Sequence, residues 1–541
     1  MEMREGRVSI VKRRQHQELQ GFWLPRGPRT WHASIVSARD LGRSNERTFI
    51  DEQAKPQEGQ PQDNCYSFIG SQTDSYERRG GVMATEQRGR QSLNRATGAR
   101  RVFINSRGKS QLDMLPDRWA RINNRAKDLS FVFNNLHMHI NVDSLGEAFR
   151  ALDGSKALGV DKVSKEAYGR SLEENLKDLA HRVRVGSYRP QPKREVLIPK
   201  ANGKRTRPIA IACFEDKLVD WVIGRILTEI YEPMFIRNSF GYRPEKSADQ
   251  AIKACYYSLE KNKRPYMVEI DFKSFFNTIP HKKLMRILTK RITDRRFKGL
   301  IGRFLVGELI DSTGAMAAGD IGTPQGSMMS PILANIYLNE VLDQWFLKNY
   351  ASYTNVIVRY ADDGVFFFKK EDDAKEFLKS LRQRCSAFGL TLNQEKTQLV
   401  DMSKSLNNQF DFLGFTFYWG KQGSRRILKV KTQKEKLHKS ITDFDHWIKA
   451  NRNRHKLNKL WNITKAKIRG HINYYGYWMN GLKINHFYWA VTKSLFKWLN
   501  RRSQRMSYTW SGFSERIKNL PLMRELGKLK LKQLGRNPYA Y

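Results

Sequence analysis

A chain of 541 residues with 40% apolar residues, among them 29 Phe, 21 Tyr and 12 Trp, can bury a sizeable core, which excludes a wholly disordered protein. No apolar run approaches the ~20 residues of a membrane span, and no basic-then-apolar signal opens the chain, so no membrane partner is expected. Lys and Arg total 97 against 54 Asp and Glu, a formal charge of +43 whose self-repulsion is usually tolerated for a polyanionic partner, and nucleic acid is favoured.

From Met1 to Leu115 there are 17 Arg, 3 Lys, many Gln, Ser and Gly, and no sustained apolar period, so residues 1–115 read as disordered or weakly structured. Arg78-Arg79-Gly80-Gly81-Val82 precedes Met83, as a purine-rich ribosome-binding site read in frame would. Two readings stay open: a true start at Met83 with residues 1–82 as read-through, or an authentic arm. From about Pro116 helical patterns alternate with short strands, an α+β pattern. Cys65, Cys213, Cys255 and Cys385 are scattered without a CxxC pair, which argues against a disulfide framework or a Cys-based zinc module. They read as small, mostly buried residues in a reducing cytoplasm.

In Tyr266–Phe276, Val268, Ile270 and Phe272 alternate with Met267, Glu269 and Asp271, the period of a strand with Asp271 near its end. In Val356–Phe368 two β-prone runs flank Ala361-Asp362-Asp363-Gly364, a hairpin connection presenting two adjacent acids. Asp-Gly is also simply a favourable turn pair. Magnesium prefers oxygen ligands, and two such ions held by clustered carboxylates activate a 3′-hydroxyl and stabilise departing pyrophosphate. The expectation is therefore spatial: Asp271, Asp362 and Asp363 converge to bind two Mg2+ and catalyse phosphoryl transfer.

From Lys421 to Tyr541 there are 18 Lys and 11 Arg against 5 acids, interleaved with six Trp and the cluster Tyr474, Tyr475, Tyr477. Leu437, Ile441, Phe444, Trp447 and Ile448 recur at helical spacing, predicting a helical domain with a basic, RNA-facing side.

Tyr360-Ala-Asp-Asp363 resembles the YxDD box of reverse transcriptases, and Asp271 their first catalytic aspartate. Gly159-Val-Asp161, Ile198–Pro208, Ser239–Pro244, Gly322–Tyr337, Leu392–Thr397 and Phe412–Phe415 are similar, in type and order, to boxes of bacterial group II intron-encoded reverse transcriptases, or maturases. The resemblance spans about Asp128 to Leu520.

It implies a right-hand polymerase: residues 116–260 as N-terminal extension and fingers, 261–420 as palm with an antiparallel sheet, and 421–541 as helical thumb or maturase domain. It implies that Lys200 and Arg207 grip the incoming nucleotide, with Arg205 an alternative to Arg207. Gln325 and Gly326 would lie near the nucleotide, Phe276 would exclude a ribose 2′-hydroxyl, and Lys396 would assist pyrophosphate departure. Phe412, Leu413 and Gly414 would form the primer grip. Arg469, Tyr474, Tyr475, Arg501 and Arg502 would contact RNA, while Arg359 reads as structural. Partners implied are group II intron RNA, a DNA target or primer and dNTPs, in the cytoplasm and at the nucleoid. No Cys-paired HNH endonuclease is evident before Tyr541. Two alternatives remain open, a polymerisation-inactive RNA chaperone and an enzyme recruited to phage defence or CRISPR adaptation.

Overall fold

The computed structural model describes residues 117–534 except 200–205, 311–315, 318, 320, 325, 351–354, 404–407, 504–506 and 520–531. The Met83 question, Lys200, Arg205 and Gln325 thus lie outside the described residues, as does the side chain of Arg207. Every element below belongs to one compact unit that contains all the described residues.

Helices α1 (Arg118–Ala126), α2 (Val142–Ala151) and α3 (Leu172–Val185) come first. Asn141 and Ser144 cap α2 reciprocally, each side chain accepting from the other's backbone N–H. Strands β1 (Lys193–Pro199) and β2 (Thr206–Ile211) form an antiparallel hairpin. Helix α4 (Phe214–Tyr231) buries 14 of its 18 residues, as an all-round apolar helix must. Helix α5 (Ala248–Glu260) starts at a Ser247–Gln250 capping box.

Next come β3 (Tyr266–Ile270), α6 (His281–Thr289), α7 (Arg295–Val306), β4 (Leu309–Ile310), β5 (Met316–Ala317) and α8 (Ser330–Leu338). Strands β6 (Val356–Tyr360) and β7 (Asp363–Phe368), helix α9 (Glu371–Ala387) and β8 (Gln398–Asp401) follow. The central sheet runs β6-β7-β3-β8, antiparallel throughout. A second sheet runs β2-β1-β4-β5, with β4 parallel to β1. The third is a meander of β9 (Gln409–Phe412), β10 (Phe415–Gln422) and β11 (Arg425–Thr432).

The alternation in β3 separates two cores rather than core from water. Val268, Ile270, Ile357, Phe366 and Phe368 face one cluster, where Phe377 of α9 lies 4.4 Å from Phe366, ring centre to ring centre. Met267, Val358, Val365 and Phe367 face the other, shared with α5 and the third sheet. Each of these buried Phe side chains contributes ~1.5–3 kcal/mol. Pinned on both faces, the central sheet is a rigid platform for what its edges carry.

Helices α10 (Lys434–Asn451), α11 (Leu457–Tyr475), α12 (Gly481–Leu499) and α13 (Trp510–Asn519) pack around Leu437, Phe444, Ile448, Leu460, Ile468, Phe487, Leu495 and Trp498. The boundary drawn at 420/421 from charge falls inside β10. The helical part opens at Lys434, because Arg425, Arg426, Lys429 and Lys431 belong to β11 and so continue the sheet.

Candidate active site

The register of β3 against β7 ends at Ile270↔Gly364, so one further step places Asp271 across from Asp363. The pattern of β-prone runs assigned the hairpin tip to all of Ala361–Gly364. Instead Tyr360 pairs with Asp363, and Ala361 and Asp362 alone make the turn. Ala361 holds the left-handed φ of 57°, which costs a non-glycine residue ~1–2 kcal/mol. Gly364 serves another purpose, since a Cβ there would meet the Ile270 side chain at 3.0 Å.

Asp271 has fixed company. Asn393 Nδ2 donates to its Oδ2 at 2.9 Å, the Asn393 N–H donates to its carbonyl at 2.7 Å, and Lys396 Nζ stands 3.4 Å from Oδ2. Asn393 lies in the Leu392–Thr397 box, but only the fold reveals whom it holds.

Asp363 keeps solvent access, yet the protein around it strips enough water to push its carboxyl up to about 7. The Asp362, Asp271 and Glu269 charges push the same way. Burial likewise pushes Glu269 up to about 7, assisted by Asp411 and Asp271. Crowded oxygen donors of one sign suit a hard divalent cation. Among the described residues no three His, Cys, Asp or Glu side chains make a ready cage. Magnesium does not need one, because it takes one or two carboxylates and keeps water and phosphate oxygens.

A pH dependence follows. Between the ordinary carboxylate range near 4 and about 7, the folded state holds protons at Asp363 and Glu269 that the unfolded chain has lost. Their contribution to stability therefore falls as pH rises through that window and levels off above it. In EDTA, the melting temperature of the Glu269→Gln/Asp363→Asn double variant should gain on wild type from pH 5 to pH 7.5. A constant difference across that range would contradict the carboxylate crowding.

Lys396 sits beside Asp271 rather than standing free. Phe276 is half-buried, edge-on to Phe275, and its carbonyl accepts the Thr323 N–H at 2.6 Å, which ties it to the Gly322–Gly326 loop. Gly326 has φ 115°, and a Cβ there would meet the Ala210 carbonyl at 2.6 Å. The close approach that demands glycine here is to β2. Asp220 of α4, which the sequence did not single out, is buried beneath this loop. It accepts from Met328 N at 2.7 Å, Ser327 Oγ at 2.9 Å and Met329 N at 3.1 Å, capping α8 from another helix.

Leu413 and Gly414 are both left-handed, at φ 50° and 79°, and close the β9–β10 hairpin between buried Phe412 and Phe415. Tyr474 Oη donates to the Leu413 carbonyl at 2.9 Å, and a Cβ at Gly414 would meet Tyr475 Oη at 2.9 Å. Tyr474 and Tyr475, expected on an RNA surface, are half-buried and brace this turn from α11. Arg469 and Arg501 are exposed, whereas Arg502 reaches the His455 carbonyl at 3.3 Å.

Residues 198–417 match the family described as Reverse transcriptase (RNA-dependent DNA polymerase). Protein YkfC of Escherichia coli is 32% identical over 310 residues, which cover 50% of this chain and 79% of that protein. The chain belongs to the reverse transcriptase family. Within it, this is a member of the group II intron-encoded branch, the reverse transcriptase/maturases. Group II intron-encoded protein LtrA of Lactococcus lactis is 33% identical over 226 residues, 42% of this chain and 37% of LtrA. A protein described as an uncharacterized 91 kDa protein in cob intron, from Schizosaccharomyces pombe, is 31% identical over 279 residues, 41% of this chain and 34% of that one. Against these two intron proteins the match spans little more than a third of their length.

Proposed function

We propose that the chain is an RNA-directed DNA polymerase that binds a group II intron RNA and promotes its splicing and retrohoming. The observation that carries the polymerase part of this reading is the sheet register, whose continuation sets Asp271 across from Asp363 and beside Asp362. In this reading the central sheet is the palm, the β1–β2 hairpin belongs to the fingers, and α10–α13 form the thumb or maturase domain.

Asp271, Asp362 and Asp363 would hold two magnesium ions, which supply charge neutralisation and a lowered hydroxyl pKa. The residues do the rest. Asn393 and Lys396 orient the Asp271 carboxylate, while Lys200 and Arg207 would hold triphosphate oxygens, Arg as a planar fork and Lys as a point charge. Positioning is most of what phosphoryl transfer requires. The 3′-hydroxyl oxygen bonds to the α-phosphorus, the bond to the leaving pyrophosphate breaks, and Lys396 stands near enough to the carboxylates to meet departing charge. The Leu413–Gly414 turn would support the primer backbone.

Phe276, tied to the Gly322–Gly326 loop, would stand where a ribose 2′-hydroxyl must pass. Phe276→Ala is expected to raise ribonucleotide incorporation relative to dNTP by at least ~10-fold, about 1.4 kcal/mol of discrimination. Competition primer extension with dCTP and CTP reads it, and unchanged selectivity would return Phe276 to a packing role.

RNA binding falls to the helical part. Helix α12 has no Asp or Glu, and Trp478, Leu482 and Trp489, on and just before it, are 62%, 86% and 54% exposed. Exposed aromatics suit base stacking, worth ~1–3 kcal/mol per base.

The testing experiment is primer extension on a primed RNA, with and without magnesium, beside a splicing assay with a group II intron. Magnesium-dependent cDNA is expected. Splicing without any cDNA would select an RNA chaperone instead.

A further inference from the structure

Behind the aspartate turn lies an ion pair that the proposed reaction does not consume. Arg359, the residue before Tyr360 on β6, is 0% exposed, as is its partner Asp343. Arg359 Nε donates to Asp343 Oδ1 at 2.8 Å and Nη2 to Oδ2 at 2.6 Å, a bidentate fork. Its Nη1 donates twice, to Asn335 Oδ1 at 2.9 Å and to the Ala361 carbonyl at 2.8 Å. Asn335 in turn donates from Nδ2 to the Gly241 carbonyl at 2.8 Å. Gly241 presses on the same turn, for a Cβ there would meet the Ala361 nitrogen at 2.3 Å.

Two features mark this network as more than packing. Asn335 and Asp343 stand eight residues apart, which in a regular α-helix leaves them about 80° off a common face. The chain between them includes a π-helical stretch, Asn339–Asp343, whose wider turn absorbs much of that offset and lets both meet one guanidinium. A buried ion pair is also a poor stabiliser, since well-packed apolar residues of similar volume usually serve as well or better. What apolar residues cannot do is hold the carbonyl of the residue before Asp362.

We propose that Arg359, held by Asp343 and Asn335, is a positioning residue that fixes the Ala361 carbonyl and thereby aims the Asp362 and Asp363 carboxylates for divalent-cation binding. Lysine cannot replace it, because one ammonium cannot reproduce a planar fork that engages a carboxylate, an amide and a carbonyl together. The inference rests on the polymerase reading of the site.

The test uses the full chain and two variants, Arg359→Lys and the apolar pair Arg359→Met/Asp343→Leu, the second chosen to keep the core filled. Mn2+ binding is followed by electron paramagnetic resonance, and primer extension is measured against Mg2+ and dNTP concentration. Both variants are expected to weaken Mn2+ binding at least fivefold and to raise the Mg2+ needed for half-maximal rate by a similar factor. The turnover should fall at least tenfold while KM for dNTP moves less than threefold. Wild-type Mn2+ affinity in the apolar pair, with its melting temperature maintained, would overturn the proposal. Wild-type protein that binds Mn2+ but makes no cDNA would instead defeat the polymerase reading, and the Mn2+ comparison would still decide the role of Arg359.

Discussion

Asp363→Asn is expected to abolish DNA synthesis, by ~10³-fold or more, about 4 kcal/mol of barrier, while leaving RNA affinity within about twofold. Asparagine keeps the shape of the side chain and leaves the Tyr360–Asp363 pairing to backbone groups, so the hairpin should persist. It removes one of the oxygen charges that a cation would need. The same change relieves the crowding that pushes the Asp363 carboxyl up to about 7, so at pH 8 in EDTA the variant should melt at or above wild type. Activity and stability then move in opposite directions, which misfolding cannot produce. Steady-state primer extension, filter binding to RNA and thermal unfolding check it together. A variant that polymerises at the wild-type rate removes Asp363 from the chemistry, and one that melts well below wild type makes it structural.

The central strands and their acids were legible because two local signals coincide there. Period-two alternation marked β3, two β-prone runs around a turn marked β6 and β7, and paired acids beside a turn are otherwise electrostatically unfavourable. The helical C-terminal part was legible from the spacing of Leu437, Phe444 and Ile448, all three of which are buried. What stayed hidden depends on partners far away in the chain. Asp343 reads as one more charge near the end of a helix, and nothing nearby in sequence says that it faces Arg359 in the dark of the core. Asp220 looks like a polar interruption of an apolar helix until the Ser327 hydroxyl and the Met328 and Met329 N–H groups arrive above it.

Tyr474 and Tyr475 show what a resemblance leaves unsaid. It implied contact with RNA, and the fold adds that both brace the β9–β10 turn, where the Tyr474 hydroxyl satisfies the Leu413 carbonyl. Residue type shows what a side chain can do, and contact shows which of those things it is engaged in. The same reasoning moves attention to Trp478 and Trp489, which are exposed.

The basic side of the helical part supplies a second large effect. Around Trp498, which is itself buried, Lys449, Arg452, Lys497 and Arg501 each place a cation within 6 Å of the ring centre, at 5.6, 5.0, 4.7 and 5.4 Å. Attraction to the ring face gathers them, and Asp445, which accepts from Trp498 Nε1 at 2.8 Å, is the anion that the ring itself engages. Four cations drawn to one side chain repel one another, and a phosphate backbone lying across them would relieve that repulsion. Replacing all four with glutamine while keeping Trp498 should lower the slope of log K against log salt by ~3, at ~0.7–0.9 for each phosphate no longer neutralised. At 0.1 M salt the affinity for intron RNA should fall on the order of 10²–10³-fold. Turnover on a saturating primed template should hold, because none of the four residues belongs to the aspartate site. A quadruple variant with an unchanged salt slope would mean that the cluster only folds the helices together, and RNA affinity would then have to come from the open face of α12.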